Sequence, residues 1–222
     1  MSVEKDSAPV RLAKAITPRR MAADLLAWLG YRRFQAVYWR LRSSDIVARY
    51  GSGYDFETLR EWITKTGACR ILDLGCGNGR AFALYQSLGV EEVHAFEMAG
   101  SLFEAAGREA AQSSAAGSGI RFFLNRADIR KPLPNLPPID LLIVNRVLQH
   151  IDPRDIVAVF SNVRACGPRY VYINESLARR SRLPHVFYHD YAALFRGIGY
   201  APFASGEIPG IRFEYLVFSR NS

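Results

Sequence analysis

The 222-residue sequence predicts an α/β fold: a doubly wound, mostly parallel, seven-stranded sheet with an antiparallel hairpin at its C-terminal edge, preceded by an N-terminal helical extension. Three observations carry this expectation. From residue 70 onward, short apolar runs alternate with helical stretches of about ten residues, the spacing of right-handed βαβ units. The first apolar run ends in a glycine-rich turn that opens a helix. The last two runs, near Phe203 and at 212–218, face each other across Pro209-Gly210, which reads as a hairpin.

In chain order, residues 1–18 are polar, contain Pro9 and Pro18, and read as a flexible tail. Residues 19–54 form a helical extension. Leu25, Trp28 and Leu29 make one apolar stripe and Phe34, Val37, Tyr38 and Leu41 a second, with Gly30 dividing two helices. Asp55 is a fair N-cap for a helix running to Thr66, which Gly67 closes. Residues 55–222 are then one domain. Strands are expected at 70–74, 93–96, 120–124, 141–144 and 170–173, and helices from Ala81 to Leu88 and at 101–112, 155–164 and 190–197. The 113–119 stretch reads as a small-residue loop, and Pro132, Pro134, Pro137 and Pro138 mark an irregular connection.

Composition narrows the class. The chain is 49% hydrophobic and 23% charged, as expected of a soluble protein with a sizeable core. Three widely spaced cysteines without a C-x-x-C argue against a disulfide framework or a zinc site, and with no signal peptide they suit a cytoplasmic location. The net charge of +8 is uneven: residues 1–50 hold ten Lys/Arg against four Asp/Glu, or +6, leaving +2 for the other 172. An anionic surface would therefore meet the N-terminal segment, or the arginines simply form a solvated helix face.

The strand Arg70-Ile-Leu-Asp-Leu runs into Gly75-Cys-Gly77-Asn-Gly79-Arg80. Glycines there let the backbone turn sharply and let a ligand approach main-chain atoms. A dinucleotide site of the G-x-G-x-x-G type needs glycine at position 80, which is Arg80, and the G-K-S/T of a P-loop is absent. G-x-G-x-G, with Asp73 two residues before its first glycine, instead resembles class I S-adenosylmethionine (SAM)-dependent methyltransferases, from about residue 55 to the C-terminus. Glu97, 22 residues after Gly75, Arg126-Ala-Asp128-Ile129, and the block from Pro138 to Ile151 follow in the family's order.

The resemblance implies a Rossmann-like fold, SAM as cofactor, and a cofactor-contacting set of Asp73, Gly75, Cys76, Gly77, Gly79, Glu97, Met98, Asp128, Ile129, Asn145 and Arg146. Within it Glu97 accepts the ribose hydroxyls, Asp128 accepts from the adenine amino group, and Ile129 packs on the ring. Asp73 lies near the amino acid moiety of SAM, or caps the glycine turn through backbone N–H groups, or both. Residues after the fourth strand border the methyl group.

Methyl transfer from a sulfonium asks the protein to align a nucleophile and exclude water, and a hydroxyl acceptor also asks for a base. His150, His189 and Glu175 are the catalytic candidates, with His185 and Asp190 beside them. Each has a plainer reading: His150 as packing, His189 as the start of a helix, Glu175 as a solvated loop carboxylate. Asn145-Arg-Val-Leu differs from the D/N/S-P-P-aromatic stretch of adenine- and cytosine-amino methyltransferases. No Pro-Cys nucleophile is present, nor paired glutamates near the fourth strand or clustered acidic metal ligands after it. The expectation is a small-molecule acceptor (a sugar, lipid-linked or polyketide-like hydroxyl) and no metal. The alternatives are a nucleic-acid methyltransferase using the basic arm and a non-catalytic SAM-binding module. Tyr31, Tyr38, Trp39, Arg42 and Tyr50 would line a lid over the acceptor, pack on the sheet, or form part of a peripheral membrane contact.

Overall fold

A computed structural model describes residues 30, 38–39, 55–115, 119–175, 186–208 and 214–221. The elements in chain order are α1 (Phe56–Thr66), β1 (Arg70–Leu74), α2 (Phe82–Ser87), β2 (Glu92–Phe96), α3 (Gly100–Ala115), β3 (Arg121–Asn125), β4 (Leu141–Asn145), a 3₁₀ turn (Leu148–His150), α4 (Ile156–Cys166), β5 (Tyr170–Glu175), α5 (Tyr191–Gly197), β6 (Tyr200–Glu207) and β7 (Glu214–Arg220). Seven strands form one sheet in the order β3-β2-β1-β4-β5-β7-β6. The first five pair in parallel, β7 runs antiparallel to β5, and β6 returns antiparallel to β7. The expected mostly parallel sheet with an antiparallel C-terminal edge is what the chain forms.

Each strand divides its side chains between two cores because successive residues point to opposite faces. Ile71, Val93, Leu141, Ile143, Tyr172 and Val217 pack with α1, α2 and α3. Leu72, Leu74, Leu142, Val144, Val171 and Ile173 pack with α4 and α5. Burial on both faces explains why the central strands read as unbroken apolar runs.

Local signals set the element ends. The Asp55 carboxylate accepts the Thr58 N–H at 3.1 Å, and Gly67 closes α1 in a left-handed conformation at φ 60°. Elsewhere the boundaries shift. Helix α3 continues to Ala115, three residues past the expected end, because Ser113 is buried against the core. Strand β5 extends through Asn174 and Glu175 because β7 pairs with both of them. Strand β6 spans eight residues with an irregular register between Pro202 and Ala204, where the proline has no N–H to give the ladder. The β3–β4 connection carries no helix, and Phe123 on β3 is left 43% exposed.

Strand order reverses between β1 and β4, since the chain steps outward from β1 through β2 to β3 and then returns to the other side of β1. In such sheets ligands bind beyond the strand ends at this switch point. The 1–18 tail, nearly all of the 19–54 extension, His185 and the Pro209-Gly210 turn lie outside the described residues; Gly30 has a left-handed φ of 69°, and Tyr38 and Trp39 are helical.

Candidate functional site

The turn after β1 is built from three left-handed glycines, Gly75, Gly77 and Gly79, at φ 82°, 60° and 78°. Their surroundings differ. A Cβ on Gly75 would lie 2.3 Å from Val147 Cγ2, and one on Gly79 would lie 2.8 Å from the Phe82 ring and 3.1 Å from Ala106 Cα. A Cβ on Gly77 would meet nothing within 4 Å. The outer two glycines therefore permit packing, while Gly77 faces open space.

Glu97 follows β2 and is only 8% exposed. One carboxylate oxygen accepts the Gly77 N–H at 3.0 Å and the other the Ala99 N–H at 2.7 Å. The Met98 N–H also acts on this carboxylate, which with up to four lone-pair sites still has room to accept from a further donor. Burial raises the pKa of Glu97 despite the hydrogen bonds from Ala99 and Gly77. This settles which carboxylate holds the glycine turn: it is Glu97. Asp73 accepts instead from the Tyr85 hydroxyl at 2.8 Å. Burial pushes the Asp73 carboxyl up to about 7, against the pull of Tyr85 and with a further rise from the Glu97 charge. Cys76 sits between them with its thiol raised well above the ordinary range, first by burial and then by the Asp73 and Glu97 charges, so it stays protonated. Met98, 36% exposed, lies at the rim.

Beyond β3, Asp128 is clamped by Arg130, whose Nε and Nη2 reach its two oxygens at 2.9 and 2.6 Å. Burial raises the Asp128 pKa, but the Arg130 hydrogen bonds and charge outweigh it and leave the pKa lowered. Arg130 Nη1 also reaches Asp155 at 3.4 Å. Asp155 stands at the N-cap position of α4 but caps no N–H there, so its charge serves Arg130. Ile129 is 7% exposed and belongs to the core beneath α4 and α5. An open glycine after β1, a buried acid at the β2 end and an ionised acid after β3, in that order across the sheet, fit a nucleoside held along these strand ends.

A second group gathers past β4 and β5. Arg146 takes a left-handed φ of 59° and donates its N–H to the Asn174 carbonyl at 2.8 Å. Glu175 is fully buried, not a solvated loop carboxylate; it accepts N–H groups from Val147 and Leu148 at 2.7 Å and from Gln149 at 3.3 Å. Its pKa rises to about 8, driven by burial and opposed by those three bonds and by Arg146. The turn it holds carries His150, whose ring meets Trp39 edge-on at 4.8 Å. Asn145 ends β4 partly exposed. His189 is 6% exposed and its Nε2 bonds the Ile151 carbonyl at 3.0 Å, which fixes that nitrogen as the donor. Burial lowers its pKa, so it is held neutral. Asp190 is exposed and caps α5 through the Ala193 N–H.

The two groups meet where Gly75 abuts Val147. Sequence reasoning passed over Tyr85, Arg130, Val147 and Asn174. Tyr85 read as one more apolar helix residue; an arginine two positions after Asp128 and an asparagine inside the apolar run 170–174 were the available signals. Among the described residues, no group of His, Cys, Asp and Glu could hold a metal ion, and no helix is long and apolar enough to cross a membrane.

Comparison with known proteins agrees with this geometry. Residues 71–166 match the family model described as a methyltransferase domain. The chain is 29% identical over 133 residues to a release factor glutamine methyltransferase of Bordetella pertussis, covering 60% of this chain and 48% of that protein, so it spans about half of that relative's length. Its fold resembles magnesium protoporphyrin IX methyltransferase from Synechocystis PCC 6803 with bound SAM, at a TM-score of 0.69, 17% identity, and coverage of 87% of this chain and 98% of the other. It also resembles the methyltransferase domain of bacterial CtHen1-C, at a TM-score of 0.61, 16% identity, and coverage of 75% and 97%. With the glycine turn, Glu97 and the sheet order already in place, residues 71–166 are a methyltransferase domain by their family match, on a fold that resembles solved SAM-dependent methyltransferases.

Proposed function

We propose that the chain transfers the methyl group of SAM to a hydroxyl of a small molecule, with the acceptor seated over the ends of β4 and β5. The observation that carries this reading is Trp39 set edge-on against His150. A residue of the N-terminal extension thus stands beside the turn that follows β4, and an aromatic wall there favours a compact acceptor over an extended polymer. Asp73, Glu97, Asp128 and Gly77 would hold the cofactor, whose sulfonium supplies an electrophilic methyl group. The chain's own residues then position and dehydrate. Glu175 fixes the Val147–Gln149 turn, His150 borders the reacting space, and Trp39 helps keep water out. In this reading His150, of the three catalytic candidates, takes the proton, while Glu175 and His189 act through the backbone they hold.

The second reading, a nucleic-acid acceptor, is favoured by one observation: the +6 concentrated in residues 1–50. The two readings separate when purified protein is incubated with methyl-labelled SAM and small-molecule, RNA and protein fractions of a cell extract. Label in the small-molecule fraction is expected. Label in RNA alone, with RNA binding at ~50 mM salt that is lost on removing residues 1–50, would replace the first reading by the second.

A further inference from the structure

Asn174 on β5 is fully buried, and neither its side-chain Nδ2 nor its Oδ1 has a hydrogen-bond partner. A carboxamide carries two donors and an acceptor oxygen with two lone pairs, all of which water would satisfy in the unfolded chain. Leaving such a group buried and unmet opposes folding, and native proteins seldom do so without a functional reason. Packing alone would place an apolar side chain at this position, as it does at Val171 and Ile173 on the other face of the same strand.

The register says where the amide lies. Asp73 pairs with Ile143, and Ile143 with Tyr172, in adjacent parallel strands. Asn145 and Asn174 pair with each other two residues farther along. Residues paired across parallel strands, and residues two apart within one, share a face of the sheet. Asp73, Asn145 and Asn174 therefore lie on one face at the carboxyl end, with both asparagines about 6.6 Å beyond the level of Asp73. Asn145 is partly exposed and Asn174 lies behind it. Glu175, the next residue, projects to the other face and is already engaged by the Val147–Gln149 turn.

We infer that Asn174 is an acceptor-binding residue: its amide receives a polar end of the acceptor that both donates and accepts a hydrogen bond, such as an alcohol or the hydroxyl of a carboxylic acid, entering past Asn145. The amide takes no proton. It orients the hydroxyl, donating through Nδ2 and accepting through Oδ1, so that an oxygen lone pair meets the methyl carbon; as that bond forms the sulfonium carbon–sulfur bond breaks to release SAH, and the hydroxyl proton leaves Oδ1 for His150 or water. This inference rests on the methyl-transfer reading of the site but not on the acceptor being small.

The test uses Asn174→Leu, which keeps the volume and removes the amide, with Asn174→Ala as a second variant. Three properties are measured on the full chain: melting temperature, affinity for S-adenosylhomocysteine (SAH) by calorimetry, and label passed from methyl-tritiated SAM into the small-molecule, RNA and protein fractions of a cell extract. Asn174→Leu should melt at or above the wild-type temperature, bind SAH within about twofold of wild type, and lose at least about tenfold of the label in whichever fraction the wild type labels. Asn174→Ala should show the same loss of label. A melting temperature several degrees lower in Asn174→Leu would make the amide structural, and undiminished label in either variant would remove it from the site; either result overturns the inference. Wild-type label confined to RNA or protein would count against the small-molecule proposal alone.

Discussion

Glu97 and Gly77 are joined by a 3.0 Å hydrogen bond from the turn's N–H to the carboxylate, across 20 residues of sequence. The buried acid after β2 and the open glycine of the turn are thus one unit, and disturbing either disturbs both. Glu97→Gln should weaken SAH binding by about tenfold or more, because an amide offers one acceptor oxygen where two are in use. Since burial raises the pKa of Glu97, SAH affinity should begin to fall, as pH is lowered, at a higher pH than an exposed glutamate would impose. Calorimetric titrations of wild type and Glu97→Gln across pH check both expectations.

The three glycines of the turn should respond differently to substitution. At Gly75 and Gly79 an alanine meets Val147, or Phe82 and Ala106, in addition to the strain of its left-handed backbone, so each should cost about 2 kcal/mol or more of stability. At Gly77 only the strain applies, about 1 kcal/mol. Gly77→Arg should therefore stay folded while losing the rise in melting temperature that SAM and SAH give the wild type. A Gly77→Arg protein that still gains stability from SAH would place the cofactor elsewhere.

Two buried carboxyls set a pH dependence of stability. Asp73 is raised from 3.8 to about 7 and Glu175 from 4.5 to about 8. Between those limits the native state holds protons that the unfolded chain has released, so stability falls as pH rises from the ordinary carboxylate range toward 8. His189, with its lowered pKa, acts in the opposite sense, so the comparison with variants is what isolates the carboxyls. In Asp73→Asn/Glu175→Gln the decline should be flatter than in wild type. Urea midpoints at pH 5, 6.5 and 8 (values chosen to span about that window) show it; parallel curves would mean that neither carboxyl carries the shift.

Glu175 also answers three N–H groups, from Val147, Leu148 and Gln149. Glu175→Ala should cost about 2–4 kcal/mol, since it strands those donors in a buried place. Glu175→Gln keeps one acceptor oxygen for Val147 and Leu148 and should recover most of the stability. If Glu175 were itself the proton acceptor, the glutamine variant would be fully folded and fully inactive. A partly active Glu175→Gln is expected, from its role in holding the turn.

The Arg130 clamp gives a fifth expectation. Arg130→Ala frees the Asp128 side chain from a fixed pose and removes the link to Asp155. SAH affinity should drop by about tenfold while turnover at saturating SAM stays near wild type, the pattern of a residue that orders the cofactor pocket.

Much of this was legible in the sequence because it rests on local signals. The apolar runs gave the strands to within one or two residues, since burial on both faces leaves no other composition open to them. Glycine spacing gave the cofactor, since left-handed positions at 75, 77 and 79 bear directly on residue choice. Partners were less legible. Asp73 finds Tyr85 only because α2 folds back over β1, and the reach of β5 to Glu175 depends on β7 pairing with its last two residues. Without that pairing, Glu175 reads as a loop residue facing water.

The approach of Gly75 to Val147 bears on how such a protein can change over generations. A side chain at 75 would occupy the space of the Val147 methyls, so the turn after β1 and the turn after β4 share one small volume. Neither can drift alone. A bulkier residue at 147 tightens the demand for glycine at 75, and a smaller one opens a void beside the methyl-transfer site.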